Sequence, residues 1–169
     1  MDADEIIYSI ALTQIPGIGP VWAKSLIESL GSSRAVFDNR KDLPGIMPDV
    51  SHRIIQLLDN SQVFDIARKE YEFISRNNIA CLTLNDPDYP YRLRECDDAP
   101  CVLFYKGTAK LNVPKVVSIV GTRKITEYGK SVCINFIRDL QSHLPDVLIL
   151  SVLAYGVDIQ APRSSMAYG

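Results

Sequence analysis

Two short segments of the chain combine glycine, hydroxyl and charged side chains in a pattern typical of phosphate-binding turns. The first is Gly121-Thr122-Arg123, and the second covers residues 151–158. A glycine permits a close backbone approach, the start of a helix offers N–H groups to an anion, and arginine presents a planar fork that matches phosphate. These residue types predict an anion pocket in which Thr122 supplies a hydroxyl and Arg123 a fixed charge.

The elements around these segments must bring them together. An apolar run at residues 116–120 precedes the first segment, and another at residues 147–150 precedes the second. Between them, from Thr126 onward, apolar residues recur every three or four positions, which predicts a helix. This order indicates parallel strands whose carboxyl ends share one edge of the sheet, where ligands bind in such folds. Residues 158–168 are predicted to be helical, with Pro162 in the first turn or at a kink.

Basic residues concentrate around the first segment. Between residues 106 and 130 six of them stand against a single acid, Glu127. The six are Lys106, Lys110, Lys115, Arg123, Lys124 and Lys130. Lys124 and Lys130 are therefore candidate phosphate contacts, because a local positive field attracts polyanions. A structural alternative pairs Arg123 with Asp158 and gives the glycines only a packing role. The residues alone favour that alternative, because a motif as short as Gly-Thr-Arg often occurs by chance.

A second glycine turn lies near the N-terminus. The segment from Ile15 to Pro20 contains Gly17 and Gly19 and separates two predicted helices, the second of which carries Lys24. This order resembles the helix-hairpin-helix motif of non-specific DNA-binding proteins. Glycines allow a tight turn and leave N–H groups open to a phosphate, so Gly17, Gly19 and Lys24 form a candidate second DNA contact. The proline, which lacks an N–H group, and the scarcity of basic residues fit glycines that only allow close helix packing.

The remaining pattern divides the chain into a helical part and a mixed part. Helical periodicity dominates residues 1–76, apart from a predicted loop at residues 39–48. Beyond them, residues 79–84 and 100–105 are predicted strands. We therefore predict an α/β protein with an all-helical N-terminal domain, of the helix-hairpin-helix or SAM-like type, followed at residues 77–169 by a parallel sheet with flanking helices.

Several classes of function lack support in the sequence. The 169 residues carry a net charge of −2, and no apolar run reaches the ~20 residues that span a bilayer. The acidic N-terminus lacks the layout of a signal peptide, so a cytoplasmic location is expected. Four cysteines without C-x-x-C spacing, and the lack of G-x-G-x-x-G or P-loop patterns, predict no metal and no nucleotide cofactor. Ser151 has no evident histidine base, so we expect a binding protein and not an enzyme.

Several short motifs follow one another in order across most of the chain. They are the Ile-Pro-Gly-Ile-Gly hairpin, Asp88-Tyr89-Pro90, Leu93, Ala99-Pro100, residues 103–107, VVSIVGTR at residues 116–123, Tyr128-Gly129, SVLAYGVD at residues 151–158, Ala161 and Arg163. The starts of the two main turns, Gly121 and Ser151, lie thirty residues apart, which fits one strand-helix-strand crossover. This order and spacing resembles the DNA-processing protein A family, also called DprA or Smf.

The resemblance implies a Rossmann-like domain that binds single-stranded DNA and no nucleotide cofactor. It also implies protection of incoming strands during natural transformation, loading of the RecA recombinase and assembly as a homodimer. The residues that would hold a backbone phosphate are Gly121, Thr122 and Arg123, with Gly129 of the Tyr-Gly pair beside them. The residues that would shape the neighbouring turn are Ser151, Ala154, Gly156 and Asp158.

Three departures from the family pattern keep two other functions open. Val152 stands where the family has glycine, Pro162 stands where it has histidine, and the sequence stops at Gly169 where the family's domain continues. The chain therefore also fits a truncated or degenerate member that serves as an interaction domain without DNA activity. A Rossmann-like enzyme acting on nucleotides or phosphoribosyl compounds is the third hypothesis. The lack of a second glycine-rich phosphate loop and of a paired catalytic acid argues against it.

Overall fold

The computed structural model describes residues 2–152 and 155–168 and contains two compact units, which divide between Ala109 and Lys110. Each unit has a two-stranded sheet and its own helices. The sequence placed a domain boundary after residue 76, which lies inside the first unit, because the first sheet packs against the N-terminal helices. The division of the chain into domains at residues 1–76 and 77–169 stays a prediction. The mixed helix and sheet content confirms the α/β class.

Helices dominate the first unit. They are α1 (Ala3–Thr13), α2 (Pro20–Leu30), α3 (Ser33–Asp38), α4 (Leu43–Ile46), α5 (His52–Leu58) and α6 (Gln62–Arg76). Helix α2 begins at Pro20, which suits the first turn of a helix, and ends at Gly31, which adopts the left-handed conformation that suits a helix C-cap. The predicted loop at residues 39–48 was wrong in part. Leu43–Ile46 forms a helical turn, because Pro44 lies in the first turn, where its missing N–H group costs nothing.

Apolar and aromatic contacts hold these helices together. Tyr8, Phe37 and Phe64 form a cluster whose ring centroids lie 4.9 to 5.7 Å apart, which joins α1, α3 and α6. The carboxylate of Glu5 accepts the backbone N–H groups of Ser33 and Arg34 at 2.7 and 3.2 Å. These are donors at the start of α3 that no turn of the helix itself satisfies, so α1 fixes where α3 begins.

The first sheet is antiparallel. Strands β1 (Ala80–Thr83) and β2 (Val102–Tyr105) pair directly, with the short helix α7 (Tyr91–Arg94) between them in the chain. Cys81 and Cys101 are buried beside this sheet, and burial raises the pKa of their thiols to about 12 and about 11. Both cysteines are thus core residues.

The second unit contains the strand-helix-strand arrangement predicted from the sequence. Strands β3 (Val116–Ser118) and β4 (Leu148–Leu150) are parallel, and helix α8 (Glu127–His143) connects them. Helix α9 (Val157–Tyr168) follows and packs against α8, with Pro162 in its interior. The core of the unit consists of Cys133, Ile137 and Ala161, against which Ile119, Ile149 and Val157 pack.

The described part of the chain contains no helix that is both long enough and apolar enough to cross a bilayer.

Candidate nucleic-acid interface

The two segments that the sequence predicts to bind phosphate meet at the carboxyl ends of β3 and β4. The strands end in register, with Ser118 beside Leu150. Beyond the strands, the N–H group of Val157 donates to the carbonyl oxygen of Thr122 at 3.2 Å. The start of α9 is thereby bonded to the turn that follows β3. The parallel sheet brings the two turns together at one edge, as the sequence predicted.

Two glycines allow these turns to touch. A Cβ atom on Gly156, which adopts a φ of 89°, would lie 2.0 Å from the carbonyl oxygen of Thr122. A Cβ atom on Gly121 would lie 2.7 Å from side-chain atoms of Val157. Both distances are far below van der Waals contact, so neither position has room for a side chain. The close approach that the glycines permit is made by another segment of the same chain.

The side chain of Asp158 binds the backbone of the first turn. The Asp158 side chain is buried, and its Oδ1 accepts the N–H group of Gly121 at 2.9 Å. The hydroxyl of Ser151 donates to the carbonyl oxygen of Asp158 at 2.8 Å. These bonds connect the end of β3, the end of β4 and the start of α9. Asp158 and Ser151 hold the shape of the site, and the Gly121 N–H group is already occupied.

Arg123 and Lys124 are the charged residues that this arrangement presents to solvent. Both side chains are exposed, and within residues 2–152 and 155–168 neither forms an ion pair. The salt bridge between Arg123 and Asp158 that the structural alternative required is therefore not formed. The N–H group of Lys124 donates to the hydroxyl oxygen of Thr122 at 3.2 Å, which closes the turn locally.

Two further candidate residues, Gly129 and Lys130, lie at the start of α8 and bind neighbouring residues of the same helix end. The Thr126 hydroxyl oxygen caps the helix by accepting the N–H group of Gly129 at 3.1 Å. The Lys130 ammonium lies 2.5 Å from the Glu127 carboxylate, an i, i+3 ion pair that offsets its charge. Both residues lie close in sequence to residues 121–124, which we call the basic turn. The Gly129 N–H group and the Lys130 ammonium, however, already have partners. Ala154, the remaining candidate, lies outside the described residues.

At the N-terminal hairpin, the candidate second contact, the basic side chain is not exposed. Lys24 is buried, and its ammonium donates to the carbonyl oxygens of Arg94 and Cys96 at 2.7 and 2.9 Å. Its charge is also 3.6 Å from the carboxylate of Glu28. The hairpin lysine thus joins α2 to the segment after α7, and it is not presented to solvent beside Gly17 and Gly19.

Known proteins resemble this chain over most of its length. The family model described as DNA recombination-mediator protein A matches residues 80–169, more than half of the chain. Protein Smf of Synechocystis sp. is 29% identical over 98% of this chain and 42% of its own length. The DNA processing protein DprA of Streptococcus pneumoniae is 36% identical over 50% of this chain and 29% of its own. The putative DNA processing protein DprA of Mycobacterium tuberculosis is 28% identical over 69% of this chain and 33% of its own.

The chain spans about two fifths or less of each of these relatives. The matched region includes both sheets and both interlocked turns. The motif order in the sequence, the parallel strand pair and the family match agree, and the chain belongs to the DNA recombination-mediator protein A family, also known as DprA or Smf.

Proposed function

We propose that the exposed basic turn of the second unit binds the phosphate backbone of single-stranded DNA. The observation that carries the proposal is the Arg123 guanidinium, which is exposed and has no ion-pair partner in the described residues. A guanidinium is more weakly hydrated than an ammonium and can donate two parallel hydrogen bonds to phosphate. Lys124 adds a second exposed charge at the next position of the chain.

The turn that carries these cations is held in place before any ligand binds. The Asp158 carboxylate fixes the backbone of Gly121, and the carbonyl oxygen of Thr122 is fixed by Val157. Preorganisation of this kind lowers the ordering cost of binding. In this proposal the glycines and Asp158 position the turn, and the side chains of Thr122, Arg123 and Lys124 make the contacts.

The names of the relatives support DNA as the ligand, since two of the three are described as DNA processing proteins. The finer parts of the proposal follow the family: protection of incoming single strands in natural transformation, loading of the RecA recombinase, and action as a homodimer. These parts place the chain in DNA recombination as a binding protein.

Salt dependence of oligonucleotide binding tests the proposal. Each phosphate contact releases counterions, so Arg123→Ala should reduce the slope of log affinity against log salt by roughly one unit and weaken binding whatever the base sequence. Fluorescence anisotropy with a labelled oligonucleotide measures both quantities. Arg138→Ala is a matched control, because Arg138 is exposed on α8 and already pairs with Asp139 at 3.3 Å. An unchanged slope for Arg123→Ala, or an equal loss for Arg138→Ala, would reject the assignment.

A further inference from the structure

Large apolar side chains are unusually exposed around the basic turn. Tyr155 is 81% exposed and Tyr128 is 80% exposed, and Val120 and Val152 are nearly as open. In the described part of the chain, Met166 is similarly exposed, and the other large apolar side chains reach at most 55%. Exposed apolar surface concentrated at one place marks an interaction site more often than scattered single residues do.

The chain connects these rings directly to the proposed phosphate contacts. Tyr155 precedes Gly156, whose backbone touches Thr122 and Arg123. Tyr128 is the second residue of α8, which begins three residues after Lys124. Tyr155 therefore lies beside the cations through the packing of Gly156, and Tyr128 lies near them along the chain.

We propose that Tyr128 and Tyr155 stack on unpaired bases of the strand whose phosphates Arg123 and Lys124 bind. This inference rests on the proposed function and names its substrate class more narrowly, as a strand whose base faces are open. A duplex hides those faces in its own stack, whereas proteins that bind single strands combine a cationic track with aromatic platforms. Tyrosine suits this role, because its ring is broad and has few rotamers to order.

Charge favours a nucleic acid over a protein as the occupant of this surface. Arg123 and Lys124 are exposed, while the acids of the same segments are engaged: Glu127 pairs with Lys130, and Asp158 is buried against Gly121. The surface thus presents two available cations beside its two rings. A polyanion with flat apolar bases complements both features at once.

The test compares three probes of about 16 nucleotides, the upper site size for a small single-strand-binding fold: oligothymidine, the same length of abasic deoxyribose phosphate, and a duplex. Stacking predicts that the whole chain binds oligothymidine about tenfold more tightly than the abasic strand. Tyr155→Ala and Tyr128→Ala should each reduce that preference about threefold without changing the salt slope, and the double variant should remove most of it. Tyr155→Phe keeps the ring and should retain it. Both residues are exposed, so circular dichroism should show folded variants.

The outcomes separate the two proposals. Equal affinity for oligothymidine and the abasic strand, with a reduced slope for Arg123→Ala, would reject stacking and leave phosphate binding in place. Absence of salt-dependent binding to any probe would reject both. If sedimentation shows that Tyr155→Ala converts a dimer to a monomer while DNA affinity is unchanged, the rings cover a second copy of the chain and the stacking proposal is wrong.

Discussion

The hairpin at residues 15–20 and the turn at residues 121–123 both contain glycine and precede a helix, but the structure uses their nearby cations differently. In each, glycine precedes a helix and a basic residue follows within a few positions, Lys24 in one case and Arg123 in the other. In the hairpin, the Lys24 ammonium is buried and bonded to two carbonyl oxygens. In the other turn, the Arg123 guanidinium is exposed. A glycine followed by a cation can therefore serve as a phosphate site only where no other group of the fold binds the charge.

The glycines of the two turns also differ in how tightly they are packed. A Cβ atom on Gly19 would meet no atom within 4 Å, whereas one on Gly156 would overlap the Thr122 carbonyl oxygen. In the hairpin, Gly19 lies in open space, whereas a Cβ atom on Gly17, whose φ is 98°, would lie 3.1 Å from the flexible end of the Leu57 side chain, and the hairpin cation is buried. The glycines of the second unit are packed against the chain, and their cation is open to solvent.

The largest expected effect is that of Gly156→Ala. The new side chain would occupy space held by Thr122 and would force a residue other than glycine to a φ of 89°. Strain and overpacking together should cost about 3 kcal/mol or more, which would open the turn pair. Hydrogen exchange of the α8 amides measures the loss of protection in the second unit.

Two other glycines serve as controls for that experiment. Gly31→Ala imposes a similar φ of 88° without a close neighbour and should cost about 1 kcal/mol, and Gly19→Ala should be nearly neutral. The measurement for Gly31→Ala is chemical unfolding of the first unit. An effect at Gly156 no larger than that at Gly31 would mean that the interlocked turns relax easily and do not hold the site.

Lys24→Met should have the next largest effect, and on stability. The substitution keeps most of the side-chain volume but removes the donor of the Arg94 carbonyl oxygen, which costs about 1–3 kcal/mol. The Cys96 carbonyl oxygen loses the lysine as well but still accepts the N–H group of Ala99 at 3.1 Å. Arg123→Met removes an exposed charge and should change stability by no more than about 0.5 kcal/mol. The fluorescence of Trp22, on α2, reports unfolding of the first unit.

In DNA binding the order of the two residues should be reversed, with a larger effect at Arg123 than at Lys24. Lys24→Met should leave the salt slope of oligonucleotide binding unchanged, because its ammonium is not presented to a phosphate. A slope reduced as much as by Arg123→Ala would show that the hairpin also binds DNA and that the two turns are equivalent after all.

Local patterns predicted the frame of the second unit. The change from apolar runs to a three-to-four residue period separates β3 and β4 from α8, and a crossover helix between two adjacent strands implies that they are parallel. Thr126 was recognised as a helix start because its hydroxyl can cap the first turn, and it does so through Gly129. Each of these features depends on residues close together in the sequence.

Features that depend on distant residues were not predictable. The acceptor of the Gly121 N–H group is the side chain of Asp158, 37 positions away, and the acceptors of the Lys24 ammonium lie 70 and 72 positions away. Nothing in the local pattern distinguishes a lysine that will be buried from one that stays exposed. Similarly, the exposure of Tyr155 depends on how the two turns pack, so the local pattern does not identify this residue as part of a site.

The smallest expected effect separates Lys124, which lies in the basic turn, from Lys130, which lies in the first turn of α8. Lys124→Ala should reduce the salt slope by roughly one unit, like Arg123→Ala, because its charge has no ion-pair partner among the described residues. Lys130→Ala should reduce it by clearly less, because the Glu127 carboxylate already offsets the Lys130 charge. Glu127→Gln should therefore tighten binding and steepen the slope by releasing that lysine. If Lys130→Ala and Lys124→Ala reduce the slope equally, the ion pair with Glu127 opens on binding, and both lysines contact the strand.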